Sequence, residues 1–203
     1  MNPNFVNTSP AGQERVAPRE RIVTAACDLF YRHGIRAVGV EAIAEAAGTN
    51  KMTLYRHFSS KDELVAECLR RVAAKADALW DGIEAAHPGE PLAQLKAWVA
   101  AMGSHLEDLD ERGCAMCNAA VELPDRTHPA RAVIETFKRG QRERLARLCA
   151  VAGAPQPDLL ADELFLLAEG ARVSLQSVGP EGPAARFVRM GEAMIARHVP
   201  AVA

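Results

Sequence analysis

The helical spacing of apolar residues constrains this chain most, because it persists from about residue 20 almost to the end. Ile22, Ala25, Ala26, Leu29 and Phe30 follow the i, i+3, i+4, i+7, i+8 pattern of an amphipathic helix. A comparable period recurs in each later segment, and no segment alternates apolar and polar residues as a half-buried strand would. The sequence therefore predicts an all-α fold of about nine helices.

Glycines, prolines and polar capping residues divide this pattern into separate helices. Asn50 and Ser60 are suitable N-caps, and Glu63 is placed three residues after Ser60 as a capping box requires. Gly34 and Gly48 stand where the chain needs a positive φ to leave a helix. The predicted helices are 19–33, 40–47, 51–57, 61–86, 92–109, 114–123, 129–151, 158–178 and 183–198.

Composition and charge narrow the class of protein. Of the 203 residues, 49% are hydrophobic, which is enough for a substantial core, and no apolar run approaches the roughly 20 residues of a membrane span. Residues 1–18 lack the apolar centre of a signal peptide, so a loose tail and a cytoplasmic location are expected. Residues 15–61 hold eight Lys or Arg and four Asp or Glu, a net charge of +4. The rest of the chain holds 16 Lys or Arg and 22 Asp or Glu, a net charge of −6. A basic head on an acidic body is typical of a polyanion-binding protein.

A helix-turn-helix is predicted where two short helices meet around residues 43–50. The small residues Ala44 and Ala47 allow the helices to pack closely, and the second helix anchors Leu54 and Phe58 in the core. Its other side carries short polar and basic side chains, as a helix that enters the DNA major groove requires. These side chains are Lys51, Thr53, Tyr55 and His57.

Residues 21–69 resemble the amino-terminal domain of the TetR family of transcriptional regulators. The string Thr-Leu-Tyr-x-His-Phe-x-Ser-Lys at 53–61 is far more specific than a generic helix-turn-helix. The resemblance implies a flexible tail at 1–18, a DNA-binding domain at 19–66 and an effector-binding and dimerisation domain at 67–203. It also implies a sequence-specific regulator, expected to be a ligand-responsive homodimeric repressor of a palindromic operator in double-stranded DNA.

The resemblance further implies roles for individual residues. Positions that usually contact phosphates are occupied by Tyr55, His57 and Lys61. Recognition-helix positions that reach base edges or flanking phosphates are occupied by Asn50, Lys51 and Thr53. Arg19 and Arg21, at the start of the first helix, are expected near phosphates or the minor groove. The chain departs from the family at Val38 and Gly39, where Ser or Thr is common, so no hydroxyl contact is expected there.

Beyond about residue 73 the resemblance concerns architecture alone. It implies that residues 158–198 form a four-helix bundle with a second copy, which places the two recognition helices about 34–36 Å apart. The apolar residues assigned to this interface are Leu160, Leu164, Leu167, Ala171, Leu175, Phe187, Met190 and Met194. No cofactor and no membrane are expected, and the effector is expected to be a hydrophobic or amphipathic small molecule. The candidate pocket residues are Trp98, Met102, His105, Met116, Cys117, Asn118, Val121, Phe137, Phe165, Glu169 and Arg172.

Several alternatives stay open at this point. Cys114 and Cys117 are three residues apart on one helical face and are consistent with core packing, thiol sensing, or metal binding completed by His105 or His128, and no metal site is assigned. Polar groups such as Glu122 and Glu169 fit either a pocket or, more simply, ordinary buried or interface hydrogen bonds. No Walker, G-x-S-x-G, HExxH or dinucleotide motif is present, so an enzyme is not predicted. The alternative function is an activator, or a ligand-independent, thiol-sensing or metal-sensing regulator of the same fold.

Overall fold

A computed structural model describes residues 16–106 and 112–200. Within these ranges the chain forms nine α-helices, one short 3-10 helix and no strand, which confirms the predicted fold class. The elements are α1 (Pro18–His33), α2 (Val40–Ala46), α3 (Lys51–His57), α4 (Lys61–Ala86), α5 (Pro91–Ser104), α6 (Ala115–Glu122), α7 (Pro129–Val151), α8 (Pro157–Val178), the 3-10 helix (Pro183–Arg186) and α9 (Phe187–His198). None of these helices is both long and apolar enough to cross a membrane.

Most predicted helix bounds agree with these elements to within a few residues. The exception is α5, which ends at Ser104 because the backbone tightens into a turn in which Leu106 N donates to Gly103 O over 2.9 Å. The predicted end of this helix at residue 109 lies outside the described residues. Residues 1–15 of the predicted tail also lie outside the described residues. Helix α1 begins at Pro18.

The two predicted N-caps form at the starts of α3 and α4. The Asn50 Oδ1 accepts from Thr53 N over 2.9 Å at the start of α3, and the Ser60 Oγ accepts from Glu63 N over 3.1 Å at the start of α4. Gly39 caps α2 through its backbone alone. The second half of the predicted capping box is wrong, because the Glu63 carboxylate pairs with Arg70 at 2.9 Å instead.

Two apolar clusters hold the helices together. The first joins α1, α2, α3 and the start of α4 to α6 and the start of α7, through residues such as Leu54, Leu64, Met116 and Ile134. The second joins the rest of α4 to α5, α7, α8 and α9, and within it Trp80 stacks on Trp98 with ring centroids 6.0 Å apart. The first cluster therefore extends past the domain boundary predicted at residue 66.

The outward face of α8 differs from the predicted interface stripe. Leu160, Leu164, Ala171, Leu175 and Phe187 are buried inside the protomer at 0–8% exposure, and Leu167 and Met194 are partly buried. The exposed apolar residues of α8 and α9 are instead Leu159, Leu166, Val173, Val178 and Met190. The prediction of an exposed stripe was therefore wrong for the five buried residues, because α8 is apolar on two faces and its inner face packs on α7 and α9.

Candidate DNA-binding and regulatory sites

The second helix of the helix-turn-helix, α3, is anchored on one side and exposed on the other. Leu54 is fully buried and Phe58 is 4% exposed, whereas Met52 is 85% and Tyr55 is 44% exposed. Gly48 makes the turn before α3 with a φ of 59°, a value that L side chains rarely adopt. The arrangement presents a short helix with polar and basic side chains at the protein surface, where it can enter a groove.

Lys51, one of the predicted base-reading residues, pairs with Glu41 of α2. The Lys51 Nζ lies 2.7 Å from the Glu41 Oε1 and 6.0 Å from the centre of the Tyr55 ring. The hydrogen bond between the two side chains raises the pKa of Lys51 and lowers the pKa of Glu41, and both side chains are exposed. Any contact of the Lys51 ammonium with DNA would require it to leave or share this carboxylate.

Two of the predicted phosphate contacts are held by other parts of the protein. The Arg19 guanidinium pairs with Glu67 at 2.9 Å and lies 5.1 Å from the centre of the Phe58 ring. The Lys61 ammonium donates to the Ile35 carbonyl over 2.6 Å. Arg21 and His57 are exposed. Lys61 therefore connects the start of α4 to the loop after α1, whether or not it also touches DNA.

Helix α6 is joined to the helix-turn-helix domain at both of its ends. At its end, the Glu122 Oε2 accepts from the Arg36 backbone N over 3.1 Å, and the Arg36 Nε donates to the Glu122 carbonyl over 3.0 Å. Before its start, the Tyr31 hydroxyl donates to the Gly113 carbonyl over 3.2 Å and accepts from the Arg112 backbone N over 2.7 Å. A movement of α6 would therefore be transmitted to the end of α1 and the loop that follows it.

A partly buried group of charged and thiol side chains connects α6, α7 and α8; we call Cys114, Cys117, Lys138, Glu169 and Arg172 the Lys138 cluster. The Lys138 Nζ donates to the Glu169 Oε2 over 2.6 Å and lies 3.4 Å from the Cys114 Sγ. The Cys117 thiol donates to the same Glu169 oxygen over 2.7 Å, and Arg172 bonds the other oxygen over 3.1 Å. The cluster therefore links α6 through Cys117, α7 through Lys138, and α8 through Glu169 and Arg172.

The cluster shifts the protonation of its members in opposite directions. The adjacent Cys117 thiol, whose one proton is shared between the Cys114 sulfur and Glu169, and then the positive charges of Lys138 and Arg172 lower the pKa of the Cys114 thiol to about 5. The hydrogen bond with Cys114 and burial raise the pKa of Cys117 far above its ordinary value. Burial alone would raise the pKa of Glu169, but the hydrogen bonds from Cys117 and Lys138 outweigh it and lower that pKa. Cys114 is thus the more acidic of the two thiols.

Six of the eleven predicted pocket residues meet in or beside this cluster. Cys117, Glu169 and Arg172 belong to it, Phe137 and Phe165 place their rings 6.0 and 5.6 Å from the Lys138 Nζ, and the Arg172 side chain reaches the Met102 sulfur at 3.1 Å. The other five are elsewhere. Trp98 and Met116 are buried in separate cores, Asn118 donates to the Arg112 carbonyl, and His105 and Val121 are exposed.

Lys138 itself was missed by the sequence analysis. It lies on the inward stripe of α7, between Ile134 and Leu145 at helical spacing, and a cation at such a position is a signal of a buried partner. His105 and His128 are not part of the three-residue group that could hold a metal ion among the described residues, which consists of Cys114, Cys117 and Glu169. His128 instead caps α7, where its Nδ1 accepts from Ala130 N over 3.1 Å.

A groove of about 660 Å³ lies between α4 and α7. Apolar residues such as Ala73, Val133 and Phe137 line it together with Arg70 and Arg147. Phe137 is the one residue that it shares with the predicted pocket, so the groove lies beside the Lys138 cluster. Its volume is within the range of small-molecule sites.

A helix-turn-helix whose second helix is exposed, carried on a larger helical body, defines a DNA-binding regulator. Residues 22–68 match the family described as bacterial regulatory proteins, tetR family. Among solved structures, the chain is 26% identical to SCO4454, a TetR-family transcriptional regulator from Streptomyces coelicolor, with a TM-score of 0.84 over 90% of this chain and 96% of that one. It is 30% identical to sav143 of Streptomyces avermitilis, a candidate TetR transcriptional regulator, with a TM-score of 0.74 over 90% of this chain and 98% of that one.

Curated relatives match over shorter stretches. The regulator TcmR of Streptomyces glaucescens is 30% identical over 65% of this chain and 58% of its own length. The activator FasR of Mycolicibacterium smegmatis is 43% identical over 26% of this chain and 24% of its length, and the repressor KstR2 of Rhodococcus jostii is 44% identical over 26% of each. The chain thus spans between about a quarter and three fifths of these curated relatives.

The chain belongs to the TetR family of bacterial regulatory proteins. The prediction of a DNA-binding transcriptional regulator rather than an enzyme is confirmed by these comparisons. Among the relatives, both an activator and a repressor are named.

Proposed function

We propose that this protein is a homodimeric, effector-responsive repressor that binds a palindromic operator with residues 50–57 of each protomer in the major groove. The observation that carries the proposal is the asymmetry of α3, which buries Leu54 completely and exposes the polar and basic side chains opposite it. A helix fixed in this way can hold its side chains against base edges without losing its own anchor. The role requires the cytoplasmic location expected from the sequence.

The DNA contacts in this proposal divide into two kinds. Lys51 and Thr53, with the amide of Asn50, read base edges, which makes them sensitive to sequence. The remaining contacts bind phosphates and orient the domain, and they are Arg19, Arg21, Tyr55, His57 and Lys61. An ammonium has three donors, so Lys61 can keep its bond to Ile35 while it also donates to a phosphate.

Dimerisation in this proposal uses the exposed seam of α8. Leu159, Leu166 and Val173 are seven residues apart, so they form a line along the helix, and each is at least 45% exposed in the protomer. A second copy related by two-fold symmetry would cover this line with its own, since a two-fold interface uses the same patch twice. Met190 of α9 is a further exposed apolar residue that the interface could cover.

Effector response in this proposal uses the groove between α4 and α7. The groove combines apolar walls with Arg147, whereas Arg70 pairs with Glu63 and Glu67 and Arg144 pairs with Asp77. An amphipathic molecule whose anionic group meets Arg147 would fit this lining. Binding there would act on α7, which carries Lys138 and thereby contacts α6. The bonds of α6 to Tyr31 and Arg36 then provide a route to the helix-turn-helix domain. The effector must prefer the conformation that fits the operator poorly.

The experiment is a gel-shift titration with the DNA that flanks the coding gene, at two salt concentrations. Tight binding to one palindromic fragment supports the proposal, and equal weak binding to all fragments contradicts it. Lys51→Ala and Thr53→Ala should change operator preference, whereas Lys61→Ala should weaken binding to all sequences and lower the salt slope by about one unit. Lys96→Ala, an exposed lysine on α5, is the matched control.

Activation is the second candidate function, because the sign of regulation depends on where the operator lies relative to the promoter. A reporter driven by the target promoter distinguishes the two. Deletion of the regulator should raise reporter expression, and a fall in expression would assign the protein to the activators.

A further inference from the structure

The first turn of α6 places two thiols beside a partly buried cation, Lys138. Cys114 is the N-cap of α6 and Cys117 is the third residue of the helix, so both side chains lie at the same end and on the same face. The two Sγ atoms and a Glu169 carboxylate oxygen all lie within 4.8 Å of one another. Both thiols are partly exposed, whereas Cys68 and Cys149 are buried.

We propose that Cys114 and Cys117 are a redox-active pair: a hydroperoxide oxidises Cys114, and Cys117 then closes a disulfide that weakens operator binding. The effect on operator binding rests on the proposed function. The disulfide chemistry does not, because it requires only the arrangement of the Lys138 cluster.

Cys114 reacts first because its surroundings stabilise the thiolate, which is the nucleophilic form of cysteine. The Lys138 ammonium lies 3.4 Å from its sulfur, and Arg172 adds a second positive charge on α8. The N-cap position adds the partial positive charge of the helix start. Cys117, by contrast, faces the Glu169 carboxylate, an anion that disfavours a second thiolate.

Cys117 is the resolving thiol because its proton already has an acceptor. The Cys117 Sγ donates to the Glu169 Oε2 over 2.7 Å, so the carboxylate can take this proton when Cys117 attacks. Cys114 has extended backbone angles, with φ −83° and ψ 114°, so it lies outside the regular helix and can approach Cys117. Disulfide bonding needs Cα atoms about 4.4–6.8 Å apart, a range that i and i+3 residues at a helix start meet.

The reaction balances in two steps. The Cys114 thiolate attacks the distal oxygen of the hydroperoxide, an S–O bond forms, the O–O bond breaks, and the departing alkoxide takes a proton from water to leave as an alcohol. The Cys117 thiol then gives its proton to Glu169 and attacks the Cys114 sulfur. An S–S bond forms and hydroxide leaves, which combines with that proton to give water. The two sulfurs lose two electrons in total and the hydroperoxide gains them.

Disulfide formation reaches the DNA-binding domain through the residues before α6. Oxidation removes the negative charge that Lys138 shares and draws Cys114 towards Cys117. Gly113, the preceding residue, accepts a hydrogen bond from Tyr31 of α1, and the neighbouring Arg112 backbone N donates to the same hydroxyl. Displacement of this segment disturbs the end of α1, against which α2 and α3 pack.

A zinc site formed by the same two sulfurs and Glu169 is less compatible with the structure. The Lys138 ammonium lies 2.6 Å from the carboxylate oxygen and 3.4 Å from the Cys114 sulfur, so a cation already occupies the position next to these donors. A divalent ion would have to displace it. The proposed oxidation of Cys114, by contrast, needs the Lys138 ammonium in the position that it occupies, 3.4 Å from the Cys114 sulfur.

The test treats the reduced full-length protein with one equivalent of hydrogen peroxide and maps thiols by differential alkylation and mass spectrometry. The expected product is a Cys114–Cys117 disulfide, with Cys149 still alkylated only after denaturation. In Cys117→Ser, a sulfenic acid on Cys114 should accumulate and react with dimedone. Lys138→Met should slow the reaction of Cys114, and Lys138→Arg, which keeps the charge, should preserve it.

Operator binding of the same samples completes the test. Oxidised wild-type protein should bind its operator about tenfold more weakly than reduced protein. The Cys114→Ser protein should bind equally well before and after oxidant treatment. Cys27→Ser is the matched control, and it should lose affinity on oxidation as the wild type does. Oxidation at Cys27 and Cys68 first, or a stoichiometric zinc ion that protects both thiols, overturns the proposal. A Cys114–Cys117 disulfide without any change in operator affinity overturns the switch. If the reduced protein binds no DNA, the proposed function fails while the mapped disulfide still decides the thiol chemistry.

Discussion

Replacement of Leu166 with alanine should weaken the dimer while the protomer stays folded. Leu166 is 67% exposed in the protomer and lies at the middle of the α8 seam. Full burial of a leucine side chain contributes about 1.5–3 kcal/mol, so covering its exposed two thirds contributes about 1–2 kcal/mol. A two-fold interface contains the residue twice, and the change therefore costs about 2–4 kcal/mol per dimer, or roughly a 30- to 900-fold higher dissociation constant.

Sedimentation velocity over a concentration series measures this shift, and urea unfolding of the same sample shows whether the protomer remains folded. Val151→Ala is the matched control, because Val151 is 72% exposed at the end of α7 and lies off the seam. Leu160→Ala should behave differently, since Leu160 is fully buried and its loss should lower the free energy of unfolding by about 2–5 kcal/mol. A Leu166→Ala protein that dimerises as strongly as the wild type would refute the assignment of the seam.

Three further results are expected. Glu41→Gln should remove a negative charge beside the recognition helix and release Lys51, which should raise operator affinity about two- to fivefold in fluorescence anisotropy; an unchanged affinity would show that the Lys51–Glu41 pair does not face the DNA. Glu122→Ala should lower the free energy of unfolding in urea by about 1 kcal/mol and reduce the effect of effector or oxidant on operator binding, because the carboxylate that accepts from the Arg36 backbone N is lost; full retention of that effect would exclude this link. The rate of Cys114 alkylation should be level from pH 6 to 8 and fall as pH drops through about 5, where the thiolate is protonated; a rate that rises steadily up to pH 8 would contradict the lowered pKa.

That pH dependence concerns a group surrounded by charges on three helices. Cys117 on α6, Lys138 on α7, and Glu169 and Arg172 on α8 all face the Cys114 sulfur. Since the neighbouring anions outweigh burial and raise the pKa of Lys138, it keeps its proton throughout the range, and the inflection belongs to the thiol pair and Glu169. The stability that the thiolate gains from its neighbours is present above the ordinary thiol pKa and is lost as pH falls through about 5.

The helices and the helix-turn-helix could be predicted from the sequence because their signals are local. Asn50 and Ser60 cap the two helices that they precede, and Gly48 takes the positive φ that the turn requires. Leu54 and Phe58 are buried as their spacing indicates. Each of these features depends on residues within one or two turns of each other, so no knowledge of distant contacts is needed.

The dimer seam could not be predicted in the same way. Leu159 and Leu160 are adjacent, as are Leu166 and Leu167, so two apolar stripes run along α8 and helical periodicity alone does not say which faces the core. The choice is made by the packing of α7 and α9 against Leu160 and Leu164. This information is tertiary and is absent from the local pattern.

The Lys138 cluster was found in part for a related reason. Glu169 and Arg172 were recognised because charged residues stand out on an apolar helix, and Cys117 because of its spacing from Cys114. Lys138 binds Glu169, which is 31 residues further along the chain. It belongs to a helix with many Lys and Arg residues, so the sequence does not distinguish this inward-facing cation from the exposed ones. Three helices must pack before these groups meet, and only then does the difference between the two thiols arise.

Selection of binding sites from a random pool of duplex DNA tests the central claim most directly. The reduced protein should enrich one palindromic sequence whose half-sites are separated by about one helical turn. The enriched sequence should change when Lys51 or Thr53 is replaced by alanine and should persist when Lys96 is replaced. Failure to enrich any sequence, at a salt concentration where the protein still binds DNA, would contradict a sequence-specific regulator that reads DNA through α3.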